Sequence, residues 1–222
     1  IERLLSAGWM VTNQLVFTTA ASRRGHTASL RMALNDLGVL NYYTFSVKGY
    51  MENTHNFATN ARAVQEQVEE KSFGIPKAGK YEWPESLNNA GDLPATINHI
   101  RETTGIPFLA TDRNVLNLPG VGKSLTFRTI GITRHGRRIL SFDHDHTRQH
   151  SPIIEKMGRV TIIESKPLAI YLEQLAEMGE DTDEYRFVWG YSLGVTEELS
   201  SVFGYPGYDF EISSELTNLK IE

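Results

Sequence analysis

The chain has 222 residues, a formal net charge of −5 and 40% hydrophobic residues. These values are typical of a globular protein with one sizeable core, and they argue against a nucleic-acid surface or a membrane-spanning segment. The chain contains no cysteine, so its own residues cannot form a disulfide, a thiolate zinc site or a cysteine-held iron-sulfur cluster.

The first fifty residues predict alternating helices and strands with short connections. We expect a helix that ends near Gly8, a strand over 11–18, a helix over 27–37 stopped by Gly38, and a strand over 39–47. This order predicts parallel strands joined by right-handed crossovers. The first helix starts at residue 1 without an initiator Met or a signal-peptide pattern, so we expect the chain to begin inside a longer, cytoplasmic protein.

Residues 51–106 predict a helical excursion and a linker. One face of the first helix there carries Ala61, Val64, Gln65 and Val68. We expect the other face to be solvated, and it carries Gln67, Glu69, Glu70 and Lys71. Residues 72–89 contain two glycines and two prolines, which is typical of a loop. A second helix over 93–103 is closed by Gly105.

The pattern turns to β-structure after residue 106. We expect strands over 108–116, 125–133, 138–142 and 160–163, with a hairpin turn at His135 and Gly136. A helix over 167–178 precedes an irregular tail. The sequence therefore divides into βα units over 1–50, a helical excursion over 51–106, a β-rich segment over 107–165, and a helix with a C-terminal tail over 166–222.

Lys123 lies between a glycine-containing turn and a predicted strand. Residues 117–123 read Asn-Leu-Pro-Gly-Val-Gly-Lys. Gly122, Lys123 and Ser124 fit the end of a phosphate-binding loop, but Asn117 stands where its first glycine belongs, and a strand follows instead of a helix. A lysine in such a turn suits imine formation with an aldehyde cofactor such as pyridoxal phosphate. A surface lysine after a turn is the alternative.

Residues 8–48 resemble the last barrel segments of lysine 2,3-aminomutase and its relatives, which are radical S-adenosylmethionine enzymes. The resemblance rests on Asn13 and Gln14 in one strand, then a helix, then Tyr42 and Tyr43 in a second strand. The turn before Lys123 resembles the family's Pro-Gly-rich segment, whose lysine holds pyridoxal phosphate. The resemblance covers 8–132, and the remaining residues look like a C-terminal extension of one branch.

The resemblance implies an α/β fold. It also implies that this chain forms the C-terminal part of a radical-SAM partial (β/α) barrel. A β-rich region that bears the pyridoxal phosphate lysine would follow that part. Members of the family bind S-adenosylmethionine and a [4Fe-4S] cluster. Three closely spaced cysteines hold the cluster, and this chain lacks them. We therefore expect the C-terminal half of such an enzyme, inactive alone, whose partners are the missing N-terminal half or other subunits of a homo-oligomer.

Two positions bear on the substrate that the resemblance implies. In lysine-processing members, the residue five after the Tyr-Tyr pair and the residue before the Pro-Gly loop are aspartates that pair with the substrate ammonium. Here they are Lys48 and Asn117. One charge pair in contact is worth about 4 kcal/mol at an effective dielectric near 20, before desolvation. A substrate ending in a carboxylate is favoured, as in glutamate 2,3-aminomutase, which interconverts α-glutamate and β-glutamate.

Weaker candidates complete the set of site residues. Gln14 could reach the cofactor or the nucleoside, or it could cap backbone groups at the end of a strand. Gly120 and Gly122 would let the backbone approach the cofactor, but glycines of an ordinary turn would look the same in the sequence. A run of Asp and His residues could bind a metal ion, or it could form the solvated end of a hairpin, and we assign no metal to it. Its members are Asp143, His144, Asp145, His146 and His150. The alternative functions are a non-catalytic pyridoxal phosphate or small-molecule binding or dimerisation domain, and a relative that acts on another amino acid.

Overall fold

The computed structural model describes residues 1–46, 54–77, 90–111, 114–115, 127–142, 152, 156 and 160–193. These residues form two three-stranded sheets, one parallel and one antiparallel. The helices and strands in chain order are α1 (Glu2–Ser6), β1 (Thr12–Val16), α2 (His26–Asp36), β2 (Leu40–Phe45), α3 (Asn60–Glu69), α4 (Leu93–Thr104), β3 (Asn114–Val115), β4 (Phe127–Ile132), β5 (Arg138–Phe142), β6 (Val160–Ile163), α5 (Leu168–Glu177) and α6 (Val188–Leu193).

The parallel sheet has the strand order β1-β2-β3. Val16 at the end of β1 is opposite Phe45 at the end of β2, and the two strands run in the same direction. This confirms the parallel pairing expected for the strands predicted over 11–18 and 39–47. Gly38 ends the intervening helix with φ of 76°, and a Cβ there would lie 2.6 Å from Pro94. Only glycine fits this close approach of α2 and α4 without strain.

The described part of the strand predicted over 108–116 extends the parallel sheet. Ala110 forms an isolated parallel bridge with Asn41. The strand β3 then pairs with β2, with Val115 opposite Phe45. The sequence groups this stretch with the β-rich segment 107–165, yet its pairing partner is a strand seventy residues earlier. The carboxyl ends of β2 and β3 are therefore side by side.

The antiparallel sheet follows the sequence pattern closely. β5 and β6 occupy the predicted residues, and β4 lies inside the predicted range 125–133. The turn between β4 and β5 has Gly136 at φ 74°, and the Gly136 amide donates to the Thr133 carbonyl at 2.9 Å. One apolar core joins this sheet to α3, α5, α6 and the chain after β1, and it includes Phe17, Val64, Leu140, Phe142, Tyr171, Leu175, Tyr185 and Val188.

A second apolar core lies under α4. Leu93, Ile97 and Ile100 are buried at helical spacing, and they pack with Leu109. This helix was predicted from that apolar spacing and from the closing glycine. Gly105 does follow it, in the left-handed region at φ 72°, so both the helix and its stop are confirmed.

The helix α3 is buried around its whole circumference, which contradicts the prediction of a solvated face. All residues from Asn60 to Gln67 are buried. Gln67 and Lys71 are 0% and 1% exposed, Glu70 is 8% exposed, and only Glu69 of the four is half-buried. The prediction was wrong because protein groups can replace water as hydrogen-bond partners of polar side chains, which allows these side chains to be buried.

Charged partners from distant segments explain how α3 is buried. Arg31 of α2 forms an ion pair with Glu66 in which both side chains are almost completely buried. Burial alone would raise the pKa of Glu66, but the Arg31 guanidinium holds it below its ordinary value. Arg62 contacts Glu70 at 2.5 Å, and Arg24 contacts the same carboxylate at 3.1 Å. Arg62, Glu66 and Glu70 therefore each have a counter-charge from α3 or from a segment that packs against it.

Candidate functional site

The chain segments that leave the carboxyl ends of β1 and β2 meet at one edge of the parallel sheet. The amide of Thr19, just after β1, donates to the carbonyl of Asn56 at 2.8 Å. The amide of Ala58 donates to the carbonyl of Phe17 at 3.0 Å. Because parallel α/β sheets bind their ligands beyond the carboxyl ends of the strands, this edge is the candidate site. We call it the carboxyl edge, formed in the described residues by 17–19, Ser46 and 54–60.

A buried lysine from the C-terminal region reaches the carboxyl edge. Lys166 follows β6 and is 1% exposed. Its Nζ donates to Thr19 Oγ1 at 2.7 Å, to the His55 carbonyl at 3.0 Å and to Gln174 Oε1 at 2.6 Å. None of these acceptors is charged, and no carboxylate among the described residues forms an ion pair with Lys166. Burial therefore lowers the pKa of Lys166 to about 8.

A buried carboxylate lies two residues before this lysine. Glu164 is 4% exposed, and its Oε1 accepts a hydrogen bond from the Asn60 amide at 2.9 Å. Asn60 is the first residue of α3, so the carboxylate satisfies an amide at the helix N-terminus. Burial raises the pKa of Glu164 to about 7, although the Asn60 amide and the nearby Arg138 act in the opposite direction.

Gln14 lies on the exposed side of the parallel sheet. It is opposite Tyr43 in the register of β1 and β2, so these two side chains share one face. Along β1, exposed residues alternate with half-buried ones, and Asn13 and Leu15 point to the other face. Gln14 is thus accessible, but the described contacts distinguish neither the cofactor contact nor the backbone cap that we expected for it.

The remaining predicted site residues lie outside the described residues. These are Lys48, Asn117, Gly120, Gly122 and Lys123, together with the run from Asp143 to His150. The strands that precede the first two are described. Lys48 comes three residues after Phe45, and Asn117 comes two residues after Val115, and Phe45 and Val115 are paired neighbours.

No sequence pattern distinguishes Lys166 or Glu164 as a site residue. Both stand just after a strand in a Glu-Ser-Lys stretch, which is typical of a solvated loop. The nearest signal is the helix over 168–177, whose apolar face requires the chain just before it to approach the core. Burial of the two side chains depends on Thr19, His55 and Asn60, which are more than one hundred residues away.

The part of the chain that the structure describes contains no group of three or more His, Cys, Asp or Glu side chains that could hold a metal ion. No helix within those same ranges is long and apolar enough to cross a membrane.

Comparison with known proteins identifies a distant relative. The chain is 27% identical over 196 residues to an uncharacterized KamA family protein of Methanocaldococcus jannaschii, and the match covers 86% of this chain. It covers only 26% of that protein, so the chain spans about a quarter of the relative's length. No protein-family model matches the chain, and no solved structure matches it either. The similarity supports a relationship with the KamA family.

Proposed function

We propose that this chain is the C-terminal part of a radical S-adenosylmethionine, pyridoxal phosphate-dependent amino-acid 2,3-aminomutase, and that its substrate is L-glutamate. Two observations support the proposal. The motifs around Gln14, Tyr43 and Lys123 resemble the lysine 2,3-aminomutases, and the similarity to a KamA family protein extends over most of the chain. In this proposal the protein is cytoplasmic and moves the amino group between Cα and Cβ.

The observation that carries the proposal is the parallel pairing of β3 with β2. Phe45 is opposite Val115, and neighbouring strands are about 4.8 Å apart. An extended chain spans at most about 3.6 Å per residue, and Lys48 and Asn117 follow Phe45 and Val115 by three and two residues. The pairing is therefore compatible with the proposal, in which these two residues, 69 positions apart in the sequence, both contact the substrate at the carboxyl edge.

The nature of the two residues supports the choice of glutamate. An ammonium from Lys48 and an amide from Asn117 would attract and hydrogen-bond a second carboxylate, whereas they would repel the side chain of lysine. Lys123 follows Asn117 by six residues, and in the proposal it holds the cofactor beside the substrate contacts.

The described sheet is also compatible with the barrel that we propose. β1 lies at one edge of the parallel sheet, and Val16 on it is 45% exposed. Further parallel strands could pair with that edge and cover that face, as in a partial (β/α) barrel. In the proposal those strands bring the cysteines that hold the [4Fe-4S] cluster, and the complete site then assembles at the carboxyl edge.

Pyridoxal phosphate, when bound, would supply an aldehyde and an electron sink for the amino group. The contribution of this chain is to hold that cofactor through Lys123, with Gly120 and Gly122 leaving room for it, and to orient the substrate through Lys48 and Asn117. The group that holds the cofactor lies outside the described residues, so its assignment rests on the sequence.

The cofactor assignment is tested by chemical labelling of the full-length protein. After incubation with pyridoxal phosphate and reduction with borohydride, we expect the mapped label on Lys123. Lys123→Ala should lose the label, while the matched control Lys77→Ala, at an exposed lysine, should keep it. A label on Lys166 or Lys80 would contradict the assignment.

The substrate assignment is tested by kcat/KM for glutamate and lysine in the wild type, Lys48→Asp, Asn117→Asp and the double variant. In Lys48→Asp, kcat/KM for glutamate should fall at least a hundredfold, which is equivalent to roughly 2.7 kcal/mol in transition-state stabilisation. The double variant should gain some lysine binding. Wild-type glutamate kinetics in Lys48→Asp would remove the main support for glutamate, and binding without turnover in the full-length wild type would favour the non-catalytic alternative.

A further inference from the structure

We propose that Lys166 is a positioning residue of the carboxyl edge. Its ammonium ties the chain that leaves β1 to the chain that enters α3, and so fixes the described part of the edge where substrate would bind. The functional side of this inference rests on the proposed aminomutase activity, whereas the positioning itself is a property of the described residues.

The three hydrogen bonds of Lys166 join three separate segments. Thr19 lies three residues beyond β1, His55 precedes α3, and Gln174 is on α5. The Thr19 hydroxyl also approaches the His55 carbonyl at 3.4 Å. A primary ammonium has three N–H donors, and here each donor has one acceptor. The group is thus satisfied only while all three segments keep their places.

Lys166 and Glu164 together hold the two ends of residues 55–60. Lys166 binds the carbonyl of His55, and Glu164 accepts from the amide of Asn60. Residues 55–60 are therefore fixed at both ends by two side chains that lie on either side of Ser165. Between these ends, Ala58 donates its amide to the Phe17 carbonyl at 3.0 Å, which links the stretch directly to the end of β1.

A purely structural role would be served better by an apolar side chain. Placing an ammonium in a buried site without a carboxylate costs free energy, and the lowered pKa of Lys166 is the consequence of that cost. A methionine of similar length would fill the space without it. What methionine cannot do is donate to the Thr19 hydroxyl and the His55 carbonyl at once, and that is the function we assign.

The test compares hydrogen exchange and kinetics in the full-length protein. In Lys166→Met, we expect the amides of Thr19 and Ala58 to lose at least tenfold in protection. The amide of Leu109, which donates to Asn35 Oδ1 at 2.6 Å elsewhere in the fold, should be unchanged. The same variant should lower kcat/KM for glutamate about tenfold, mainly through KM. Lys77→Met at an exposed lysine is the matched control and should change neither quantity.

A second variant keeps the inference testable if Lys166→Met destabilises the whole fold. Thr19→Val removes one acceptor of Lys166 at nearly constant volume, and we expect about threefold less protection at Ala58 with Leu109 unaffected. The inference is overturned if Thr19 and Ala58 keep wild-type protection in the variants, or if kcat falls as much as KM rises. Failure of the wild type to convert glutamate would instead overturn the proposed function, while the exchange data would still decide the role of Lys166.

Discussion

The helices α3 and α4 are both packed into the interior, but they are held there by different forces. α4 buries an apolar stripe of Leu93, Ile97 and Ile100, which needs only another apolar surface to cover it. α3 buries charged residues and needs a specific counter-charge for each, as Arg31 provides for Glu66. The first arrangement tolerates small shifts of its partner, and the second does not.

The difference has a consequence for how the molecule is organised. The partners of α3 come from α2, from the chain between β1 and α2, and from the C-terminal region, since Tyr191 of α6 donates to Glu69 at 3.0 Å and Gln65 donates to the Glu184 carbonyl at 3.2 Å. The charged interior therefore fixes the C-terminal helices relative to the parallel sheet. We expect α3 to be the more sensitive of the two helices to single substitutions.

The largest effect should come from breaking the buried ion pair. Glu66→Gln leaves the Arg31 guanidinium buried without a counter-charge, and we expect a loss of about 3–5 kcal/mol in the free energy of unfolding. The double variant Arg31→Met, Glu66→Met removes both charges and should cost less than Glu66→Gln alone. Urea unfolding of the three proteins checks this. A double variant that loses as much stability as Glu66→Gln, or more, would mean that the unpaired Arg31 charge is not the cause of the loss.

A slightly smaller effect should come from the apolar stripe. Ile97 is 0% exposed, and Ile97→Ala should cost about 3 kcal/mol through lost apolar contact and a residual cavity. Glu102→Ala on the exposed side of the same helix is the control and should stay within about 0.5 kcal/mol of the wild type. If Ile97→Ala costs more than Glu66→Gln, the ranking of α3 over α4 is wrong.

The third prediction concerns pH and separates two buried glutamates. The pKa of Glu164 rises from 4.5 to about 7 on folding, so between these values the unfolded state binds fewer protons, and the free energy of unfolding falls as pH rises. Such a shift corresponds to roughly 3 kcal/mol at most, and we expect about 2 kcal/mol after relaxation.

Glu164→Gln should therefore flatten the decline between pH 4.5 and 7 and stabilise the protein above pH 7. Glu173→Gln, at an exposed residue of α5, is the control and should leave the profile as it is. Glu66, whose pKa is lowered because Arg31 is in contact with it, contributes in the opposite direction. An unchanged profile in Glu164→Gln would show that folding does not raise the pKa of Glu164.

The smallest effect should come from an ion pair at the surface. Arg101 of α4 contacts Asp36 of α2 at 2.7 Å, but the Asp36 side chain is 65% exposed. Asp36→Ala should cost less than about 1 kcal/mol, because water and salt screen exposed pairs. Thermal unfolding at low and high salt checks this, and a larger cost that persists at high salt would remove the contrast with the pair of Arg31 and Glu66.

The sequence by itself does not predict the described part of the candidate site. A resemblance in motif and order indicates Lys48, Asn117 and Lys123, and these stay predictions because they lie outside the described residues. That β2 and β3 are neighbours came from the structure, because strand pairing depends on packing between distant segments. Lys166 could not be selected at all, since its acceptors, Thr19 and His55, are unrelated to it in sequence.

Local periodicity and glycine positions determined the elements themselves. The strands β5 and β6, and the helices α2, α4 and α5 with glycines shortly after their ends, lie at or close to their predicted positions because these features depend on residues a few positions apart. Tertiary structure decided the burial of α3, the pairing of β3 and the surroundings of Lys166. A charged side chain is stable inside a protein only when a partner neutralises or hydrogen-bonds it, and that partner is supplied by the fold rather than by the neighbouring sequence.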